Sequence, residues 1–150
     1  MSLEEDIKQS KKFQNEHEKA AVNILFTSSW LHNLNSGRLK KHEITPEQYN
    51  VMRILRGSAP KPLMLGEITC RMLDKSSNAT RLVEKLRQKG LVQRDICPTN
   101  RRQVDILITK KGLTVLEKID KEEEEWVNNL KNISKAEAEE LNRILDKLRN

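Results

Sequence analysis

At Gly90 the spacing of apolar residues switches from helical to alternating. Upstream, Ala79, Leu82, Val83 and Leu86 recur at three- and four-residue steps, the mark of one buried helix face. Downstream, Val104, Ile106 and Ile108 alternate with Gln103, Asp105 and Leu107, which is a strand pattern, and Leu91 to Ile96 is a weaker partner strand. Gly90 reads as the C-terminal cap of the helix, and Cys97 to Arg102, opened by Pro98, as a polar loop between the strands. Ahead of this lies a short helix from about Leu65 to Leu73 and a tight turn at Asp74 to Ser76, so the second helix is expected over about 75–89.

The flanking segments read as longer helices. His17, Ala20, Ala21, Ile24, Leu25, Ser28 and Leu31 share one face, so the first 35 residues are expected to form one helix, stopped by Asn35, Ser36 and Gly37. Thr45-Pro46-Glu47-Gln48 is a helix start, with Thr as N-cap, Pro at the first helical position and Gln completing a capping box. Tyr49, Met52, Ile54 and Leu55 follow, and Gly57, Ser58 and Pro60 close this helix. Thr109 caps a helix expected to run past Glu122 to Glu125 as far as about Lys131. Ser134 and Glu137 open a last helix with apolar positions at Leu141, Ile144, Leu145 and Leu148. The expected fold is mainly α with a small β-hairpin wing. Its centre, about 44–112, is a winged helix-turn-helix unit. The outer helices, about 1–36 and 113–150, carry apolar stripes that need burial against each other or against a second subunit, within a single domain of 150 residues.

Charge is unevenly spread. Residues 61–111 hold 12 basic and 5 acidic side chains, whereas the rest of the chain holds 16 basic and 17 acidic, so the formal +6 is a local field. Such a field suits a polyanion, because each neutralised phosphate releases counterions. The longest uncharged stretch, residues 20–31, is interrupted by Asn23, Thr27, Ser28 and Ser29 and falls short of a membrane span. The charged start of the chain does not read as a signal peptide, and two cysteines make no disulfide framework. A cytoplasmic protein with no membrane partner is expected. Cys70 reads as one of the apolar positions of its helix and Cys97 as a turn residue.

The 75–89 segment carries the functional argument. Opposite its apolar face stand Ser77, Arg81, Glu84 and Gln88, flanked by Asn78 and Lys85 on one side and Thr80 and Arg87 on the other. Arg pairs with guanine, Asn and Gln with adenine, and Ser and Thr are compact donors, so the set suits a major groove. Glu84 can accept from cytosine N4, but is expected instead to pair with Arg81 or Gln88 and orient them. On an isolated helix the same residues would read as a solvated face. The preceding turn and helix, the following hairpin with Arg101 and Arg102, and the local charge favour the groove. Arginines at a hairpin tip suit the negative potential of the narrow minor groove. His17, His32 and His42 are scattered, with no second ligand cluster. No Gly-rich phosphate loop and no nucleophile with a base are legible. No enzyme, cofactor or metal site is therefore expected.

The segments ITPEQYNVMRIL, GEITCRML, SSNATRLVEKLRQKGLVQR and PTNRRQVDILITKKG together resemble the MarR family of bacterial transcription regulators. The specific part is TRLVEKLRQKGLVQR with the basic wing and ITKKG. The resemblance covers Ile44 to Leu116 and, by helix order, the whole chain. It implies a homodimer built from the N- and C-terminal helices, bound to double-stranded DNA as a repressor on a pseudo-palindromic operator. Ser76, Ser77, Asn78, Thr80, Arg81, Lys85 and Gln88 would then serve the groove-reading helix, and Arg101 and Arg102 the wing. It further implies a small aromatic effector between the outer helices and the winged unit, where Phe26, Trp30, His32 and Tyr49 are candidates; as aromatic residues at helical spacing they read equally as core and interface. The family pattern at the wing is Asp-x-Arg, whereas this chain has Asn100-Arg101-Arg102, which removes one charge that would hold the arginine. The alternative is a winged-helix module whose exposed face contacts an acidic protein.

Overall fold

The computed structural model describes residues 2–150, with Arg101 and Arg102 described by their backbone only. The order is α1 (Leu3–Asp6), α2 (Glu16–Lys40), α3 (Pro46–Ser58), α4 (Leu65–Arg71), α5 (Ala79–Gln88), β1 (Val92–Cys97), β2 (Asn100–Ile108), α6 (Lys110–Asp120), α7 (Glu123–Asn128) and α8 (Lys135–Arg149). The fold is mainly helical with one antiparallel hairpin, as the sequence pattern implies. The hairpin pairs Val92 with Ile108, Arg94 with Ile106 and Ile96 with Val104, and Leu63 adds a bridge to Ile106. Its inner face and the apolar faces of α3 to α6 enclose one core that includes Val51, Met52, Leu55, Leu63, Ile68, Leu86, Ile106, Leu116 and Ile119.

The capping signals act as read. Thr45 and Gln48 form a capping box on α3, and Ser134 and Glu137 one on α8. Thr109 accepts from the Gly112 amide at the start of α6. Gly90 adopts φ +71, the left-handed value a helix C-cap needs.

Several boundaries differ from the sequence expectation. The first helix is two pieces: α1 is closed by its own Ser2–Glu5 capping box, and α2 begins only at Glu16, capped by Asn15. It then continues through Asn35, Ser36 and Gly37 to Lys40. The reason is Leu39, fully excluded from solvent, which ties the last turn to the core. Burying a leucine is worth about 1.5–3 kcal/mol, more than the roughly 1 kcal/mol that a helical glycine costs. The expected helix from Thr109 to Lys131 also breaks, at Lys121 and Glu122. There the Glu122 carboxylate reaches Lys41 Nζ at 3.0 Å and His42 Nε2 at 3.2 Å, while Asp120 meets Arg56 at 2.6 Å. Burial raises the Glu122 pKa, but Lys41 and then His42 more than reverse this and hold it below its ordinary value. The polar loop of the hairpin is shorter than expected, because β1 reaches Cys97 and β2 starts at Asn100. Cys97 is accordingly a buried strand residue, and Cys70 is exposed rather than packed.

The start of α6 is the tightest point in the fold. A Cβ on Gly112 would stand 2.3 Å from the Leu91 carbonyl oxygen and 2.7 Å from Ile108 Cγ1. The former is backbone and cannot swing aside. Gly112→Ala is therefore expected to lower stability by about 1–3 kcal/mol, the usual cost of overpacking. Urea unfolding followed by circular dichroism measures it, and an unchanged midpoint would contradict the packing described.

Candidate nucleic-acid interface

Helix α5 is held from one side. Ala79, Val83 and Leu86 are buried in the core, with Leu82 partly buried beside them. Thr80, Arg81, Lys85 and Gln88 are exposed on the other side. Glu84 pairs with Arg87 at 2.8 Å and accepts weakly from Gln88 at 3.4 Å. The expected partner Arg81 is not engaged: the bidentate Glu84–Arg87 pair, one turn apart, takes both carboxylate oxygens. Arg87 in turn holds the Glu84 pKa below the ordinary carboxylate value. Among the described residues the Arg81 guanidinium is thus left available on the exposed face, while its backbone amide is engaged by Asn78.

The helix starts later than the sequence suggests. Its N-cap is Asn78, whose Oδ1 accepts from the Arg81 amide at 3.0 Å, so this oxygen is committed to the cap and not to a base. Ser76 and Ser77 precede the helix in a turn organised by Asp74. Asp74 Oδ1 accepts from the Ser76 amide at 2.9 Å and its hydroxyl at 2.6 Å, and Oδ2 accepts from the Ser77 hydroxyl at 3.2 Å. These bonds, the Ser76 hydroxyl foremost, hold the Asp74 pKa low. Short polar side chains that bond to nearby backbone favour such turns over a first helical turn. The turn is joined to α3 as well, because the Leu73 amide donates to Asn50 Oδ1 at 2.9 Å.

The hairpin follows α5 at once, and its base is fixed to α6. Residues Arg101 and Arg102 belong by backbone to β2, while their side chains lie outside the described residues. At the turn, Cys97 Sγ lies 3.2 Å from Thr99 Oγ1; this contact and the Thr99 and Asn100 amides lower the thiol pKa.

The four aromatic-ligand candidates do not come together. His32 and Tyr49 line a cavity of about 550 Å³ bounded by α2, α3, the α4–α5 turn, α6 and α7. Phe26 and Trp30 instead line a separate hollow of about 360 Å³ with Leu3 and Asp6, because they point to the side of α2 on which α1 folds back. The larger cavity contains residues that sequence reasoning missed. Arg38 stands 4.6 Å from the Trp126 ring and 5.5 Å from Tyr49, and Arg53 lies 5.8 Å from Tyr49. An arginine on the inward side of α2 was the available signal. Asp74 and Ser77 line the same cavity, so the turn ahead of α5 is also one of its walls.

Two short helices around a tight turn, closed by an antiparallel hairpin, define a winged helix-turn-helix protein. Residues 44–104 match the family model described as MarR family. It is 35% identical over 81 residues to the HTH-type transcriptional regulator MhqR of Bacillus subtilis, covering 54% of this chain and 54% of MhqR. It is 27% identical over 109 residues to the HTH-type transcriptional repressor IacR of Pseudomonas putida, covering 72% of this chain and 64% of IacR. The chain thus spans about half the length of MhqR and under two thirds of IacR. Its fold matches that of a MarR variant from E. coli crystallised with operator DNA, at a TM-score of 0.80 and 23% identity, over 92% of this chain and 99% of that one. Among the described residues, no helix is long and apolar enough to cross a membrane.

Proposed function

We propose that this chain is a transcriptional regulator that binds double-stranded DNA as a homodimer, α5 lying in the major groove and the hairpin in the adjoining minor groove. The observation that carries this reading is the exposed row Thr80, Arg81, Lys85 and Gln88 on a helix whose opposite face is locked in the core. A reading helix needs rigid backing and polar ends that reach base edges. Ser76 and Ser77 lie in the turn ahead of the helix, and their hydroxyls serve the phosphate backbone only on exchanging Asp74 for a phosphate oxygen, while Arg101 and Arg102 serve the wing. The E. coli relative crystallised on its operator supports the class of ligand, and the naming of IacR as a repressor supports repression.

Dimerisation is supported by apolar side chains that the single chain leaves in water. Leu25, Trp30, Leu141, Ile144 and Leu148 are all exposed, on the first long helix and the last. A second copy covering both faces accounts for them. It also sets two α5 helices about 34 Å apart, one turn of duplex.

Release by a small aromatic ligand is supported by the larger cavity. An aromatic anion suits it, with the ring beside Tyr49 and Trp126 and the charge toward Arg38 and Arg53. The DNA-facing turn is one wall, so a ligand that shifts Asp74 or Ser77 bears directly on the start of α5. Benzoate is expected to raise the melting temperature of the native chain more than that of Arg38→Ala. Equal shifts in differential scanning fluorimetry would remove the cavity from the account.

Arg81→Ala is expected to cost about 1–3 kcal/mol on a preferred duplex and to relax base preference at one position. Fluorescence anisotropy over a salt series checks this. Native affinity is expected to fall by orders of magnitude between about 50 and 200 mM salt. Weak salt dependence would instead favour a protein partner, and an unchanged preference in Arg81→Ala would contradict groove reading by α5.

A further inference from the structure

A second cleft, of about 480 Å³, separates α5 from the hairpin. Val83 and Ile106, both buried, form its floor. Thr80 rises on the α5 side, and Arg94 and Gln103 on the hairpin side. Arg94 is out of place by the hairpin's own pattern. It pairs directly with Ile106, so the two side chains share a face of the sheet, and that face otherwise carries Val92, Ile96, Val104 and Ile108. Alternation calls for an apolar residue at this position, and the chain has a guanidinium.

No partner among the described residues accounts for that charge. Among the described residues Arg94 makes no side-chain hydrogen bond and no ion pair. Glu84 feels its field, but both Glu84 oxygens are already bonded to Arg87. The Gln103 amide donates to Asp105 at 3.0 Å and leaves Arg94 exposed over the cleft. The hairpin leaves the body of the protein at this level, since Ile96, one pair further out, is 67% exposed.

We propose that Arg94 seats a DNA phosphodiester in this cleft, with the Thr80 hydroxyl as a second donor. The inference rests on the regulator reading above and adds a contact to it. A helix in the major groove and a hairpin in the neighbouring minor groove stand on either side of one sugar–phosphate strand. That strand must pass through the gap between them, and the gap is this cleft. A guanidinium there meets a phosphate oxygen whatever the base sequence, so it sets register and contributes affinity without selecting bases. The bland alternative is an arginine whose stem covers Val83 and Ile106 and whose charge is solvated.

The test compares native protein with Arg94→Met and Arg94→Lys. Methionine keeps the apolar stem and fits the alternation, so circular dichroism is expected to show an unchanged fold. Affinity is measured by anisotropy for a selected duplex and a scrambled one across a potassium chloride series. Arg94→Met is expected to weaken both about equally, by about tenfold for each charge-assisted bond lost and so about a hundredfold for a dimer that loses two. The slope of log affinity against log salt is expected to shrink by about 0.9 for each protomer bound. Arg94→Lys is expected to keep the native slope. Native-like slope in Arg94→Met, or a loss confined to the selected duplex, overturns the assignment while leaving the regulator reading intact. Native protein that binds neither duplex overturns both.

Discussion

The close approach of α6 to the backbone at Leu91 governs the geometry of everything outward of it. Three elements meet there: the end of α5, the base of the hairpin and the start of α6. The Thr109 amide donates to the Leu91 carbonyl at 3.1 Å, the Thr109 hydroxyl donates to the Gly90 carbonyl at 2.7 Å, and Lys111 Nζ donates to the Lys89 carbonyl at 2.8 Å. Gly112 lets the chains approach this closely, and Gly90 makes the left-handed turn that starts the hairpin. Together they set the angle between α5 and the hairpin, and therefore the width of the cleft that Arg94 faces. A helix face and a hairpin tip can act on one rigid ligand only if that angle is fixed.

The same economy appears at the other end of α5. The 72–78 turn caps the helix, leaves Ser76 exposed, and walls the larger cavity with Asp74 and Ser77. Asn50 and Asp74 connect it to α3 and to its own hydroxyls. Occupancy of the cavity and the position of the α5 N-terminus are therefore not independent. Salt bridges at Glu122 and Asp120 place the α6–α7 bend over the cavity's far side, so its shape depends on the outer helices as well.

Much of this architecture is legible in the residue order. Local signals with a single physical cause translate directly: the Thr45 and Ser134 capping boxes, the Gly90 turn, and the alternation of Val104, Ile106 and Ile108. The errors arise where a tertiary contact outweighs a local preference. Leu39 carries α2 past Gly37, and Glu122 breaks a stretch of good helix formers to reach Lys41 and His42. Within the candidate site, the exposed row on α5 follows from helical periodicity alone. Which oxygens are already committed does not. Asn78 as a cap and Glu84 as a partner of Arg87 depend on where the helix begins, and that depends on Asp74. The aromatic candidates separate because sequence spacing places them on α2 without saying that α1 folds back beside two of them. Arg94 was readable as a charge interrupting an apolar face, once the register with Ile106 is known.

In the proposed function two copies of α5, each backed by its core and flanked by its hairpin, read duplex DNA together. Selection of bound sequences from a random duplex pool tests it most directly. The expected outcome is an enriched inverted repeat whose half-site centres lie about 10–10.5 base pairs apart, or a multiple of that spacing. Recovery of a solitary half-site, or of no enriched sequence at all, would contradict it.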